Sequence, residues 1–178
     1  MGALFLSGRP GVGKTTLLLQ ALQRIKVRTG GFYTEEVRKG GERVGFRIRS
    51  LSGEEGTLAW KGLRSPCRVG RYGVNMEDLE RVGVEALRRA IAEAELIVVD
   101  EVASMELCSK RFKKTVVEAL ESGKPVLGVL QRKAHPFLDE IRSRPDVRVL
   151  EVTEGNREEV LEEVQVWLRR TALSREHI

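Results

Sequence analysis

Two hydrophobic rhythms alternate along this chain. Short unbroken apolar runs occur at residues 3–6, 96–99 and 126–130, and a last strand is read at 147–152, where Arg148 and Glu151 interrupt the apolar positions. Their length and continuity predict strands buried on both faces. Between them, apolar residues recur every three or four positions, the spacing of an amphipathic helix. Residues 14–28 carry Leu17, Leu18, Ala21, Leu22 and Ile25 on one side, and Gly30-Gly31 reads as the stop. Asn75 reads as a helix cap, with Asp78 completing a box-like arrangement. Leu79, Val82, Gly83, Ala86, Leu87, Ala90 and Ile91 follow at helical spacing. Further helices are predicted over 110–121, 136–142 and 157–170. Apolar strands alternating with amphipathic helices predict an α/β fold, a mostly parallel sheet flanked by helices.

One region breaks the rhythm. Residues 32–37, 44–51 and 57–60 read as short strands, separated by the turn signals Lys39-Gly40-Gly41 and Ser52-Gly53. An antiparallel element is therefore expected at about residues 31–61, beside the parallel core. Residues 64–73 read as irregular and rich in Arg and Gly. No repeat or linker divides the chain, and its 178 residues predict one domain, 1–178.

Composition narrows the function classes. With 41% hydrophobic residues the chain can build a real core, and with only 5% aromatics that core is mostly aliphatic. No apolar run approaches the ~20 residues that span a bilayer. No signal peptide precedes the first strand, so a soluble, cytoplasmic protein is expected. Asn75 and Asn156 are the only asparagines, a scarcity that, with abundant Glu, Lys and Arg, is seen in thermophile proteins. The net charge of +5 suits a polyanionic small molecule. Nucleic acid is not the expected partner, because no basic run is interleaved with aromatics. Cys67 and Cys108 lack metal-ligand spacing and read as two reduced thiols.

The candidate chemistry begins where the first strand ends. Gly8-Arg9-Pro10-Gly11-Val12-Gly13-Lys14-Thr15 fits the phosphate-loop pattern G-x-x-x-x-G-K-[ST] at every specified position, in the required strand–loop–helix context. Gly8, Gly11 and Gly13 let the backbone approach phosphate closely. The helix that follows adds unsatisfied N–H groups and the positive end of its dipole. Lys14 supplies a charge for the β- and γ-phosphates, and Thr16 lies in the first helical turn. Thr15 offers a hydroxyl to Mg²⁺, an oxygen-seeking octahedral cation.

A second half of the site follows from Leu96, Ile97, Val98 and Val99, a strand ending in Asp100-Glu101-Val102-Ala103. Ligands of open α/β sheets sit beyond the carboxyl ends of the strands. Asp100 is the candidate Mg²⁺ partner, with Thr15. Glu101 is the candidate base that orients a water at the γ-phosphate. Gln131, just past the strand at 126–130, is a further catalytic candidate, as γ-phosphate sensor or water holder. Arg132, Lys133 and His135 read as a solvated turn or as charge stabilisers. Glu106 reads as a local cap or pair. Asn156-Arg157 reads as a helix start, with Arg157 also able to reach a nucleotide. Glu35 and Glu36 are outside candidates, and His177 is nearly terminal.

With these motifs placed, the chain resembles the small THEP-type nucleoside triphosphatases. The likeness covers most of residues 1–160. It is carried by Gly31-Phe32-Tyr33-Thr34-Glu35-Glu36-Val37-Arg38, by Gly45-Phe46, and by Val69-Gly70-Arg71-Tyr72-Gly73-Val74. Asp100-Glu101-Val102-Ala103-Ser104-Met105-Glu106-Leu107 and the Thr153–Arg157 block complete it. The resemblance implies a RecA-like fold and slow, Mg²⁺-dependent hydrolysis of nucleoside triphosphates with broad base tolerance. By position it implies that Gly8 to Thr15 and Leu96 to Ala103 line the nucleotide site. One departure stands out: Ala103-Ser104 occupies the place where such proteins usually carry Gly-Lys.

Three other functions share the phosphate loop. A small-molecule or nucleoside monophosphate kinase needs an acceptor pocket and lid arginines, and Arg64, Arg68 and Arg71 are candidates. A GTP-binding switch needs Asn-Lys-x-Asp; Asn75-Met76-Glu77-Asp78 lacks the Lys and begins a helix. A nucleic-acid-stimulated ATPase is separated by adding single strands to the assay.

Overall fold

The computed structural model describes residues 2–173; His177 lies outside them. The first strand, β1 (Ala3–Ser7), is buried along its whole length. Its side chains alternate between two cores: Ala3 and Phe5 join one, Leu4 and Leu6 the other. This is the pattern of a central strand in a sheet covered on both faces.

The remaining strands are β2 (Thr29–Lys39), β3 (Glu42–Ser50), β4 (Glu55–Lys61), β5 (Arg68–Val69), β6 (Tyr72–Val74), β7 (Leu96–Val102), β8 (Val126–Leu130) and β9 (Val147–Glu151). All of them join one sheet in the order β5-β6-β4-β3-β2-β7-β8-β1-β9. From β2 to β9 the pairing is parallel; from β2 outward to β5 it is antiparallel. β2 belongs to both parts. Thr29 to Phe32 pair with β7, and Phe32 to Lys39 pair with β3.

Helices α1 (Lys14–Leu22) and α6 (Arg157–Leu173) cover one face through Leu17, Leu18, Ala21, Val160, Val164 and Leu168. The other face is covered by α3 (Glu85–Glu93), α4 (Lys110–Glu121) and α5 (Pro136–Ser143). Each fully buried Leu or Phe in these layers contributes about 1.5–3 kcal/mol. A short α2 (Met76–Asp78) and a π-helical stretch, Leu79–Val84, lead into α3 and pack beneath the antiparallel extension. Among the described residues no helix is long and apolar enough to cross a membrane.

Several expectations need correction. The first helix stops at Leu22, not near residue 28. Gly30-Gly31 is not a helix stop; both residues lie inside β2. Gly31 has φ +122°, and a Cβ there would lie 1.9 Å from the Val98 carbonyl oxygen, so only glycine lets β2 lie this close to β7. The antiparallel element runs on to Val74, because part of the expected irregular stretch forms β5 and β6.

Asn75 does cap its helix, accepting from the Asp78 N–H at 3.0 Å. Asp78 completes no box; its Oδ2 accepts from the Thr57 N–H at 2.8 Å and so ties the helix to β4. Cys67 and Cys108 are not free thiols. They form a disulfide across 41 residues of sequence, with Cα atoms 6.1 Å apart. Spacing along the chain carries no sign of this, because the partners meet only when β5 is laid against the segment after β7.

Candidate functional site

The loop between β1 and α1 wraps the N-terminus of α1. Gly13 caps that helix with φ 94°, supplies no side-chain acceptor, and no acid occupies the first turn. The first-turn N–H groups therefore keep their capacity for an anion. Lys14 folds back along the loop, its Nζ donating to the Gly8 carbonyl at 2.6 Å. That places a full positive charge beside the amide-lined turn.

The acids arrive from β7 through a change of pleat. Leu96 and Val98 enter the core shared with α1, and Ile97 and Val99 enter the opposite core. Regular alternation would send Val102 to the side of Leu96 and Val98. It lies instead with Ile97 and Val99, and the pairing with β8 slips between Asp100 and Val102. This bulge inserts one residue and re-aims Asp100 and Glu101 at the strand tip, as bulges beside active sites do.

Asp100 is 1% exposed, and its Oδ2 has no hydrogen-bond partner. Burial pushes its pKa up to about 8, opposed by a hydrogen bond from the Thr15 hydroxyl; Glu101 adds to the rise and Lys14 counters it. Burial also raises Glu101, with Lys14 pulling the other way. Glu106 follows on a 3₁₀ turn, Glu106–Cys108. It is 1% exposed, its Oε2 is unpartnered, and burial and the Glu101 charge hold its pKa well above the usual carboxylate range. Three carboxyl groups thus share one poorly hydrated corner.

A cavity of about 1100 Å³ opens over Glu101 and Glu106; Asp100 is buried and is not part of its lining. Gly8, Arg9, Pro10, Gly11, Gly13, Lys14, Thr15 and Thr16 form one wall, with Glu101, Ala103, Glu106 and Gln131 beside them. Val12 is absent from that wall and packs into the core beneath. Leu96, Ile97, Val98, Val99 and Val102, read as site-lining in the sequence, are core residues at 2% exposure or less. They build the strand that delivers Asp100 and Glu101.

The opposite wall comes from the antiparallel extension, through Tyr33, Thr34, Glu35, Glu36, Arg43 and Phe46. Glu35 is paired with Arg49 at 2.6 Å, and Glu36 with Arg38 and Arg43 at 3.2 Å each. Arg132 pairs with Glu151 at 3.2 Å, and both Arg132 and Lys133 line the cavity. His135 caps α5 through Nδ1, which accepts from the Phe137 N–H at 3.1 Å. Glu106 does pair locally, its carboxyl accepting from the backbone N–H groups of Glu106 and Ala103, but it is buried rather than exposed. Its burial is invisible in the sequence, although its place five residues past Glu101, beside Met105 and Leu107, is a usable hint.

The donor set fits Mg²⁺. A buried carboxyl oxygen of Asp100 lacks a partner, and the Thr15 hydroxyl adjoins that carboxyl. Among the described residues no group of three His, Cys, Asp or Glu could hold a metal ion alone. Mg²⁺ suits such a sparse site, since substrate phosphates and water supply most of its ligands.

Known proteins resemble this chain along most of its length. Residues 3–165 match the family model described as NTPase. Nucleoside-triphosphatase THEP1 of Thermotoga maritima is 47% identical over 161 residues, covering 90% of this chain and 92% of that protein. A human cancer-related nucleoside-triphosphatase is 40% identical over 177 residues, covering 90% and 93%. The crystal structure of THEP1 from the hyperthermophile Aquifex aeolicus superposes with a TM-score of 0.82 at 35% identity, covering 91% of this chain and 96% of that one. Likeness of this extent, running through the parallel core and the antiparallel extension alike, means that the chain belongs to the THEP1-type NTPase family.

Proposed function

We propose that this protein hydrolyses nucleoside triphosphates to the diphosphate and phosphate. The observation that carries the reading is the convergence of Lys14 and Thr15, after β1, with Asp100 and Glu101, at the bulged end of β7. In the resulting division of labour, the loop amides and the α1 N-terminus hold the β- and γ-phosphates. Lys14 balances their charge, and its interaction strengthens as charge grows on the transferring group. Glu101 orients a water toward the γ-phosphorus and takes its proton. Gln131 keeps the segment after β7 in register with β8. Thr15 and Asp100 would hold Mg²⁺, and the bound ion would neutralise phosphate charge as a Lewis acid.

Names of relatives support the reading: the Thermotoga and human proteins are both nucleoside-triphosphatases. No Asn-Lys-x-Asp guanine-reading element occurs in the sequence, which supports broad base tolerance. Among the described residues, all nine strands join one sheet around this site, which supports a single catalytic domain.

The deciding experiment measures phosphate release from ATP, GTP, CTP and UTP, with and without a chelator. Release is expected for all four, lost with the chelator and restored by Mg²⁺. Transfer of labelled γ-phosphate to an added acceptor, with none to water, overturns hydrolysis in favour of a kinase.

A further inference from the structure

Lys14, Asp100 and Glu101 fix which way a bound triphosphate runs. The γ end must face the β7 side of the phosphate loop, where the carboxylates lie. In the sheet, β7 is reached from β1 across β8, while β9 flanks β1 on its other side. The nucleoside end therefore leaves the loop toward β9 and the helix that follows it, α6. That helix opens with Arg157.

The Arg157 guanidinium lies flat over the helix cap. A methyl group built on Gly13 would lie 3.0 Å from its Nη2, 3.1 Å from its Cζ and 3.4 Å from its Nε. Near-equal distances to three atoms of a planar group mean that its face, not its edge, covers Gly13. The segment before it is pinned: Asn156 Oδ1 accepts from the Thr153 N–H at 2.7 Å, and its Nδ2 donates to the Glu151 carbonyl at 2.8 Å. Among the described residues, no hydrogen bond or ion pair engages the Arg157 guanidinium. Arg132, by contrast, is spent on Glu151.

We infer that Arg157 holds the nucleoside end without selecting its base, stacking its free guanidinium face on the nucleobase. The inference rests on the hydrolase reading above and deepens it. Every base has a π-face, so a stacking contact holds purines and pyrimidines alike, whereas hydrogen bonds to base edges would discriminate. Base tolerance is then a direct consequence of this single contact.

The test compares wild type with Arg157→Ala and Arg157→Lys. KM for ATP, GTP, CTP and UTP is expected to rise about tenfold in both variants, with kcat within about twofold. The lysine keeps the charge and loses the plane, so a wild-type KM in Arg157→Lys overturns the inference. Inorganic tripolyphosphate, used as a competitor, is expected to keep its inhibition constant within about twofold. A rise in step with KM makes Arg157 a phosphate ligand and also overturns it. ADP affinity by calorimetry is expected to weaken about tenfold in both variants, and unchanged affinity again overturns the inference. Because that titration needs no turnover, wild type failing to hydrolyse any triphosphate counts against the hydrolase reading alone.

Discussion

Ser104 donates twice to the side-chain oxygen of Gln131, from its N–H at 3.0 Å and from its hydroxyl at 2.9 Å. The bond joins the segment after β7 to the end of β8. Gln131 is held in turn, its N–H donating to the Val102 carbonyl at 3.0 Å. Gln131→Ala frees that segment, and kcat is expected to fall about tenfold while KM moves less than about threefold. Thermal unfolding of Ser104→Ala, Gln131→Ala and the double variant is expected to show a coupling of about 1 kcal/mol. Strictly additive losses mean that the two residues do not act as a pair.

Lys14→Ala is expected to abolish most triphosphate turnover in a protein that still folds. Glu101→Gln keeps the shape of the site but removes the proposed base. Nucleotide affinity by calorimetry is expected to stay within a few-fold of wild type, and kcat to fall by ~10²–10⁴. Wild-type phosphate release in Glu101→Gln moves the base to another group, with Glu106 first in line.

Glu106 gives the fold a pH dependence. Burial, then the Glu101 charge, raises its folded pKa well above the ordinary 4.5. Below the ordinary value both folded and unfolded chains carry the proton, and no penalty arises. Above it the unfolded chain releases a proton that the fold retains, so stability falls as pH rises toward the folded pKa. Glu106→Gln removes that loss. In nucleotide-free protein, its Tm is expected to exceed that of wild type at pH ~8, with the difference vanishing near pH ~4. A constant offset across that range rules out the ionisation as its source.

The Cys67–Cys108 bond closes a loop of 41 residues that includes β6, the π-helical stretch, α3 and β7. Chain-entropy arguments assign such a link about 4 kcal/mol. A dithiol reductant, or Cys67→Ser with Cys108→Ser, is expected to lower Tm by about 10 °C or more. Equal Tm values with and without reductant mean that the bond contributes nothing to stability.

Much of this protein is legible in the order of its residues. The phosphate loop needs a local run of residue types, so Gly8 to Thr15 can be found by spacing alone. The alternation of buried strands and amphipathic helices follows from periodicity, which is likewise local, and so does the Asn75 cap. Contacts between distant segments are not legible in this way. Gly30-Gly31 reads as a helix stop because glycine has two uses, a break or a close approach, and only the position of Val98 selects the second. The bulge that turns Glu101 toward the loop depends on the register with β8. The burial of Glu106, the meeting of Cys67 with Cys108 and the placing of Arg157 over Gly13 all join residues far apart in the chain. The phosphate-loop motif and the order of elements can be read from the residue order, because both are written in neighbouring residues. Tertiary structure alone decided which acids are starved of water and which cation lies over the loop, because desolvation and proximity belong to the packed chain.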